Sequence, residues 1–221
     1  MKTPGMLVLL ATALLSGCIE EKIARRAAAD HTLADATASR LSHGRVCCAS
    51  YRAMPFNRFV PGMRQPVSLD ASSPIYDFTF GRSRFVAYTL PALDAGDELV
   101  VGATELYSGS SARPRFRPAV IFLSETYEPL PVQPHVALND HFMGWSTEGH
   151  AAHIPLTPGY SAARYVIIAA DPGFIGSSYI EKRHSTTMPA GGAYISMSIP
   201  EQQFPYGYEG KGFLEIRHAS R

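Results

Sequence analysis

Short apolar runs separated by proline and glycine are the feature that most limits the folds open to this chain of 221 residues. Val, Ile, Phe and Tyr are concentrated in runs such as SRFVAYTLP, PAVIFLS and ARYVIIAADP, each of strand length and each followed by turn-forming residues. The 17 prolines and 18 glycines fall largely between such runs, where they interrupt regular structure. This pattern predicts a mainly β protein.

Alternation within the runs predicts how the strands are buried. In SRFVAYTLP, Phe85 and Ala87 share one face and Val86 and Tyr88 the other, so both faces are apolar. PAVIFLS and ARYVIIAADP are apolar throughout, which is typical of central strands covered on both faces. ELVVGATEL follows the turn-like DAGD and so predicts a hairpin with the strand before it. AYISMSIP and KGFLEIRH add two strands, and the total of seven or eight predicts an antiparallel β-sandwich, of which the jelly roll is one form.

The N-terminus has the features of a bacterial export signal. Lys2 precedes an apolar stretch, residues 6–15, that is shorter than the roughly 20 residues a membrane-spanning helix needs. The sequence LLSGC, ending at Cys18, resembles the lipobox of bacterial lipoproteins. The resemblance implies cleavage before Cys18 and acylation with palmitate-like chains, and two or three such chains anchor a protein stably. The alternative is an unmodified secreted protein in which Cys18 has no role.

Three parts are expected along the chain: residues 1–17 as the lipoprotein signal peptide, residues 18–45 as the lipidated N-terminus and spacer, and residues 46–221 as a β-sandwich domain. The spacer is rich in alanine and charge but has few large apolar residues, so we expect a tether that is partly helical. Ile19 stands where an inner-membrane retention signal would have Asp, which favours the outer membrane, facing the periplasm.

Balanced charge argues against one large class of partners. Lysine and arginine total 20 and aspartate and glutamate total 19, giving a formal net charge of +1. Such a chain has no excess of positive charge to attract nucleic acid, which we therefore do not expect as a partner.

Four segments of the chain together resemble the maltose operon periplasmic protein (MalM-like) family. They are SPIYDFTFGRSRFVAYTLP, FRPAVIFLSETYEPL, IPLTPGYSAARYVIIAADP and YEGKGFLEIR. The double cysteine in RVCCASYRAMPF is similar to the lipoprotein branch of that family. The resemblance implies a non-catalytic periplasmic protein associated with maltose or maltodextrin transport or binding. It supplies no catalytic residue and no cofactor.

Cys47 and Cys48 are adjacent, and the periplasm permits disulfides. Three interpretations stay open for the pair: a vicinal disulfide or another structural pairing, two reduced and packed thiols, or reactive or metal-binding thiols. The sequence has no C-x-x-C spacing, so a thioredoxin-like redox function is not predicted.

Histidine is the other residue type that raises a metal hypothesis, at His135, His141, His150 and His153. A zinc site needs three or four converging ligands, whereas positions three apart on a strand point to opposite faces, so we expect solvent-facing histidines and no metal site. The motifs G-x-S-x-G, S-x-x-K and H-E-x-x-H are absent. We therefore predict no catalytic residues and no enzyme, and a metal-dependent or hydrolytic enzyme is the least favoured alternative.

Aromatic residues are the best candidates for binding, because the apolar face of a sugar ring stacks on Tyr or Trp. The candidates are Trp145, Phe204, Tyr206 and Tyr208, and the competing interpretation is ordinary packing at strand ends. Two functions of different classes follow. One is a carbohydrate-binding lipoprotein, and the other is an interaction lipoprotein of the outer membrane that docks on a porin or another envelope protein and has no sugar ligand.

Overall fold

The computed structural model describes residues 32, 35–94, 96–105, 116–131, 138, 140–143, 148–175, 177–181, 184–190, 193–199 and 202–218. Residues 35–43 are helical, and the rest is dominated by short strands. The strands are β1 (Phe56–Arg58), β2 (Gln65–Leu69), β3 (Ile75–Phe78), β4 (Gly81–Thr89), β5 (Glu98–Glu105), β6 (Pro118–Leu123), β7 (Asp140–Met143), β8 (Glu148–Pro155), β9 (Tyr165–Ala170), β10 (Ser178–Glu181), β11 (His184–Ala190), β12 (Ala193–Ile199), β13 (Gln202–Pro205) and β14 (Gly210–Arg217).

Two five-stranded sheets form the body of the protein. Sheet one has the order β1-β4-β9-β6, with β3 also paired to β4, and sheet two has the order β2-β14-β5-β8-β7. Two further pairs, β10 with β13 and β11 with β12, are antiparallel ribbons. Every pairing is antiparallel except that of β1 with β4, which is parallel, so sheet one is mixed. The predicted mainly β sandwich is confirmed.

The core lies between the two sheets and confirms the two-faced reading of β4. Val86 and Tyr88 pack with residues of sheet two such as Leu99 and Leu214 in this inner cluster. Phe85 and Ala87 point the other way, into an outer cluster built on sheet one alone. Fully burying a side chain as large as Val, Leu or Phe is worth about 1.5–3 kcal/mol, so both clusters stabilise sheet one.

The chain crosses between the sheets where the sequence predicted a hairpin. β4 pairs with β1, β3 and β9, whereas β5 pairs with β14 and β8, so the DAGD loop joins strands of different sheets. The hairpin prediction was wrong, because a turn sequence specifies a change of direction but not which strand becomes the partner. β2, β4, β5, β6, β8 and β9 alternate between the sheets, a connectivity related to that of jelly rolls, which have eight strands rather than ten.

β6 and β9 are buried on both faces as predicted, but only β9 is central. β6 lies at the end of sheet one, where the turn after it folds back: the Leu130 amide donates to the carbonyl oxygen of Phe122 at 2.9 Å. Among its described residues, the segment that begins PGFIG has a 3₁₀ turn, Pro172–Phe174, followed by β10 and β11. Burial alone therefore did not identify a central strand.

Residues 35–43 are packed onto the body at their C-terminal end. Leu41 is buried, and the guanidinium of Arg82 on β4 donates to the carbonyl oxygen of Ser42 at 2.6 Å. Gly44 lies against Ile75 of β3, where a Cβ atom would approach the Ile75 side chain closely. No helix within the described ranges is long and apolar enough to cross a membrane.

Candidate functional site

The aromatic residues singled out from the sequence do not form one group. Trp145 lies outside the described residues, and Phe204 lies on β13 opposite Tyr179. The Tyr206 ring contacts Phe174, with centroids 6.3 Å apart and planes at 73°. Tyr208 is half-buried against the inner cluster, and this burial raises the pKa of its hydroxyl. Tyr208 therefore packs against the core of the sandwich.

Arg117 extends the Tyr206 contact. Its guanidinium carbon lies 3.5 Å from the centroid of the Phe174 ring, so Arg117, Phe174 and Tyr206 make consecutive contacts. Phe174 is thus contacted by two other side chains.

The histidines are spread over several neighbourhoods. His135 lies outside the described residues, and His141 on β7 is opposite His150 on β8. Nδ1 of His153 lies 2.8 Å from Oε2 of Glu98 on the neighbouring strand, an ordinary cross-strand pair. No group of three or more His, Cys, Asp or Glu side chains in the described part of the chain is arranged to hold a metal ion.

A disulfide joins Cys47 and Cys48, whereas Cys18 lies outside the described residues. The Cys47 amide donates to the carbonyl oxygen of Ile75 at 2.8 Å, which fixes the pair beside β3. Cys47 is exposed, and Cys48 is half-buried against the outer cluster of sheet one.

Phe56 and Tyr165 of the outer cluster contact Tyr127, and the sequence did not predict these three residues as a site. We call Phe56, Tyr127 and Tyr165 the aromatic surface. The Tyr127 and Tyr165 rings are stacked, with centroids 4.5 Å apart and planes at 17°, and Phe56 lies 4.6 Å from Tyr165. All three side chains are half-buried, so part of each ring faces solvent.

A strained turn holds Tyr127 in place. Its φ is 65°, in the left-handed region, which a bulky residue rarely adopts and which costs about 1–2 kcal/mol. Ser124 organises the turn: its carbonyl oxygen accepts from the Tyr127 amide at 3.0 Å, and its Oγ accepts from the Glu128 amide at 3.2 Å. Strain of this kind is tolerated where the surrounding structure fixes a functional side chain.

Polar groups surround these rings. The Tyr165 hydroxyl donates to the Tyr127 hydroxyl at 3.0 Å, and the Arg52 guanidinium carbon lies 5.8 Å from the centroid of the Tyr127 ring. The pKa of Tyr165 is raised, chiefly by the hydrogen bond to Tyr127, then by burial, by Tyr127 itself and by repulsion from Glu125, while Arg52 opposes the shift. A positive charge, Arg52, and a negative charge, Glu125, therefore both act on the Tyr165 hydroxyl.

The three residues of the aromatic surface are far apart in the sequence, so the sequence did not predict that they lie together. Phe56 lies on β1, Tyr127 in the turn after β6 and Tyr165 at the start of β9. Tyr165 does alternate with Ile167 and Ala169 on the outer face of β9, and this was the available signal. An aromatic residue at the exposed end of a strand that is otherwise apolar on both faces marks a surface that remains partly open.

Comparisons with protein-family models, with curated proteins and with solved structures found no match.

Proposed function

We propose that this protein is a non-catalytic lipoprotein of the bacterial outer membrane, anchored through Cys18 and facing the periplasm, whose sandwich binds neutral carbohydrate of the maltodextrin class. The aromatic surface is the observation that carries the proposal. Phe56, Tyr127 and Tyr165 offer half-exposed rings on one face of sheet one. The apolar face of a hexose stacks on such rings in the way other amphipathic ligands do.

The charges beside the rings favour a neutral ligand. Arg52 and Glu125 carry opposite charges, and both act on Tyr165. Neighbouring hydroxyls of a sugar can donate to a carboxylate and accept from a guanidinium, so both groups are used. A charged ligand of either sign would be repelled by one of these two groups, by Glu125 if it is anionic and by Arg52 if it is cationic.

The sequence supports the remaining parts of the proposal. The sequence LLSGC at Cys18 resembles a lipobox, and four segments of the chain resemble the maltose operon periplasmic protein family. The aromatic surface supplies binding groups but no nucleophile paired with a base, which favours binding over catalysis.

Calorimetric titration of the full-length chain, solubilised in mild detergent, with maltodextrin tests the binding. In Tyr127→Gly the glycine accepts the positive φ while the stacked ring is lost, so we expect binding to disappear and stability to change by no more than about 1 kcal/mol. Tyr160→Ala is the matched control, because Tyr160 is also half-buried but packs on Phe122 of the inner cluster. Absence of binding by the wild-type chain would contradict the proposal and favour an interaction lipoprotein that docks on an envelope protein.

Cys18→Ser tests the anchor separately. Without the thiol no diacyl group can be attached, so we expect the protein to move from the membrane fraction to the soluble fraction of its native host. A variant that stays in the membrane fraction would contradict the anchor but leave the carbohydrate site untouched.

A further inference from the structure

A second group of aromatic rings lies on the same outer cluster. Tyr51 and Tyr76 have ring centroids 5.2 Å apart, and Tyr76 lies 5.0 Å from Phe78. Tyr51 and Tyr76 are half-buried, like the residues of the aromatic surface, whereas Phe78 is buried beneath them. We call Tyr51 and Tyr76 the second tyrosine pair.

β4 sets the distance between the two groups. Tyr76 lies opposite Ser83 of β4, and Phe56 lies opposite Ala87. These two positions on β4 are four residues apart, which corresponds to about 13 Å along a strand. The span is longer than one sugar ring, and both groups lie on the same face of sheet one.

One short turn connects the two groups across this span. Tyr51 and Arg52 are consecutive in the 3₁₀ turn Tyr51–Ala53. The Tyr51 ring contacts Tyr76, while the Arg52 guanidinium lies over Tyr127, so this turn reaches both groups.

The disulfide borders the second tyrosine pair. Cys48 packs against the same outer cluster as Tyr51 and Tyr76, and Cys47 beside it is exposed. Sulfur is polarisable and makes favourable contacts with apolar surfaces and ring edges. The disulfide thus adds an uncharged surface to the outer cluster beside β3.

We infer that the second tyrosine pair, bordered by the Cys47–Cys48 disulfide, is a second sugar subsite, and that the ligand is a linear neutral oligosaccharide lying over the exposed turn Tyr51–Ala53 between the two groups. This inference rests on the proposed carbohydrate function and extends it from one subsite to two. The aromatic surface holds one end of the oligosaccharide, the second tyrosine pair holds the other end, and Arg52 lies between them.

Titration of the full-length chain with glucose, maltose, maltotriose and maltohexaose tests the inference. We expect affinity to rise with chain length until both groups are covered. Tyr51→Ala and Tyr76→Ala should each weaken maltohexaose binding about tenfold, and change the affinity for the shortest ligand that binds by less than twofold. Tyr127→Gly should weaken binding of every ligand, and Tyr160→Ala should change none.

Tyr76 packs on the buried Phe78 and Phe85, so Tyr76→Ala is checked by circular dichroism, and Tyr51→Ala supplies the result if the former does not fold. Affinity that is independent of chain length, or maltohexaose binding unchanged in Tyr51→Ala, would overturn the second subsite and leave the proposed function standing. If no oligosaccharide binds the wild-type chain, the proposed function fails and the second subsite fails with it.

Discussion

The outer faces of the two sheets differ in what covers them. On sheet one, large aromatic rings such as Tyr51, Tyr127 and Tyr165 stay half-buried even though the segment before β2 packs against that face. On sheet two, the buried apolar cluster of the outer face consists, among the described side chains, of Val100, Ala151 and Phe213. The described aromatic rings on sheet one therefore stay partly open, whereas Phe213 on sheet two is buried.

Sheet two closes its outer face with glycine and charge. The Phe213 ring lies directly on Gly102, where a Cβ atom would come within 2.5 Å of the ring, and Arg64 covers Phe213 at 4.4 Å from the ring centroid. Nε of Arg64 also bonds Oε2 of Glu215 at 3.0 Å. Long charged side chains can cover apolar surface in this way while their charged ends stay in water.

The largest expected difference between the two faces is in the stability lost when a phenylalanine is replaced by alanine. Phe85 is fully buried in the outer cluster of sheet one and contacts Tyr76 and Phe78 edge-on. Phe85→Ala should therefore lower the free energy of unfolding by about 3–5 kcal/mol, as measured by urea denaturation. Phe213→Ala should cost less, because Phe213 belongs to a cluster of only three buried residues. Equal losses in the two variants would break the comparison.

The next largest loss of stability is expected when a glycine of sheet two is replaced by alanine. A Cβ atom at Gly212 would lie 2.1 Å from the carbonyl oxygen of Gly102 on β5, and a backbone atom cannot move aside cheaply. Gly212→Ala should lower the free energy of unfolding by about 1–3 kcal/mol in the same denaturation experiment.

Gly159→Ala is the control for this substitution, because the nearest atom to a Cβ there is Thr157 Oγ1 at 3.8 Å. If Gly212→Ala is as stable as Gly159→Ala, strands β5 and β14 do not depend on a close approach at the inner face of sheet two.

Local strand structure was predictable from sequence, whereas strand partners were not. The runs PAVIFL and YVIIAA were predictable as β6 and β9 because their length and their β-branched and aromatic residues favour a strand buried on both faces. The DAGD loop contains ordinary turn residues, and whether it makes a hairpin or a crossing depends on packing of distant strands. The parallel partner of β4, β1, is only three residues long and gave no alternating pattern to detect.

The candidate site was less predictable than the fold for a related reason. Phe56, Tyr127 and Tyr165 meet only through the order of sheet one, which the sequence does not state. A left-handed backbone is signalled by Gly or Asn, so nothing marked Tyr127 in SETYEP as a fixed, strained position. The sequence did not decide the state of Cys47 and Cys48, because adjacent cysteines are compatible with several states.

Alkaline pH should lower the stability of the protein through the tyrosines of sheet one, and this effect should be smaller than those of the substitutions above. The pKa of Tyr51 is raised by burial and then by the nearby Tyr76, and that of Tyr165 by its hydrogen bond to Tyr127, whereas the strands of sheet two contain no tyrosine. Above the ordinary tyrosine pKa of 10.0 the unfolded chain releases protons that the folded chain retains, so stability present below pH 10 is lost as the pH rises through the folded values.

Urea denaturation on either side of this pH measures the effect. Tyr51→Phe and Tyr165→Phe together should reduce the alkaline loss of stability, because phenylalanine has no proton to release. The remaining loss should come from Tyr88, Tyr160 and Tyr208, whose pKa values are raised by burial. An unchanged pH profile in the double variant would show that the outer face of sheet one does not contribute.

The smallest loss of stability is expected at Arg64, which covers Phe213 on the outer face of sheet two. Arg64 is more than half exposed, so its ion pair with Glu215 should add little, and its contact with the Phe213 ring should be worth about 0.5–1 kcal/mol. Arg64→Ala should lower the urea midpoint slightly, and Arg64→Lys should recover part of the loss, because lysine keeps the charge but lacks the planar group that stacks on the ring. Full recovery in Arg64→Lys would mean that charge, and not the covering of Phe213, is what the arginine supplies. A loss in Arg64→Ala as large as that in Phe85→Ala would mean that sheet two depends on its charged cover as strongly as sheet one depends on its aromatic cluster.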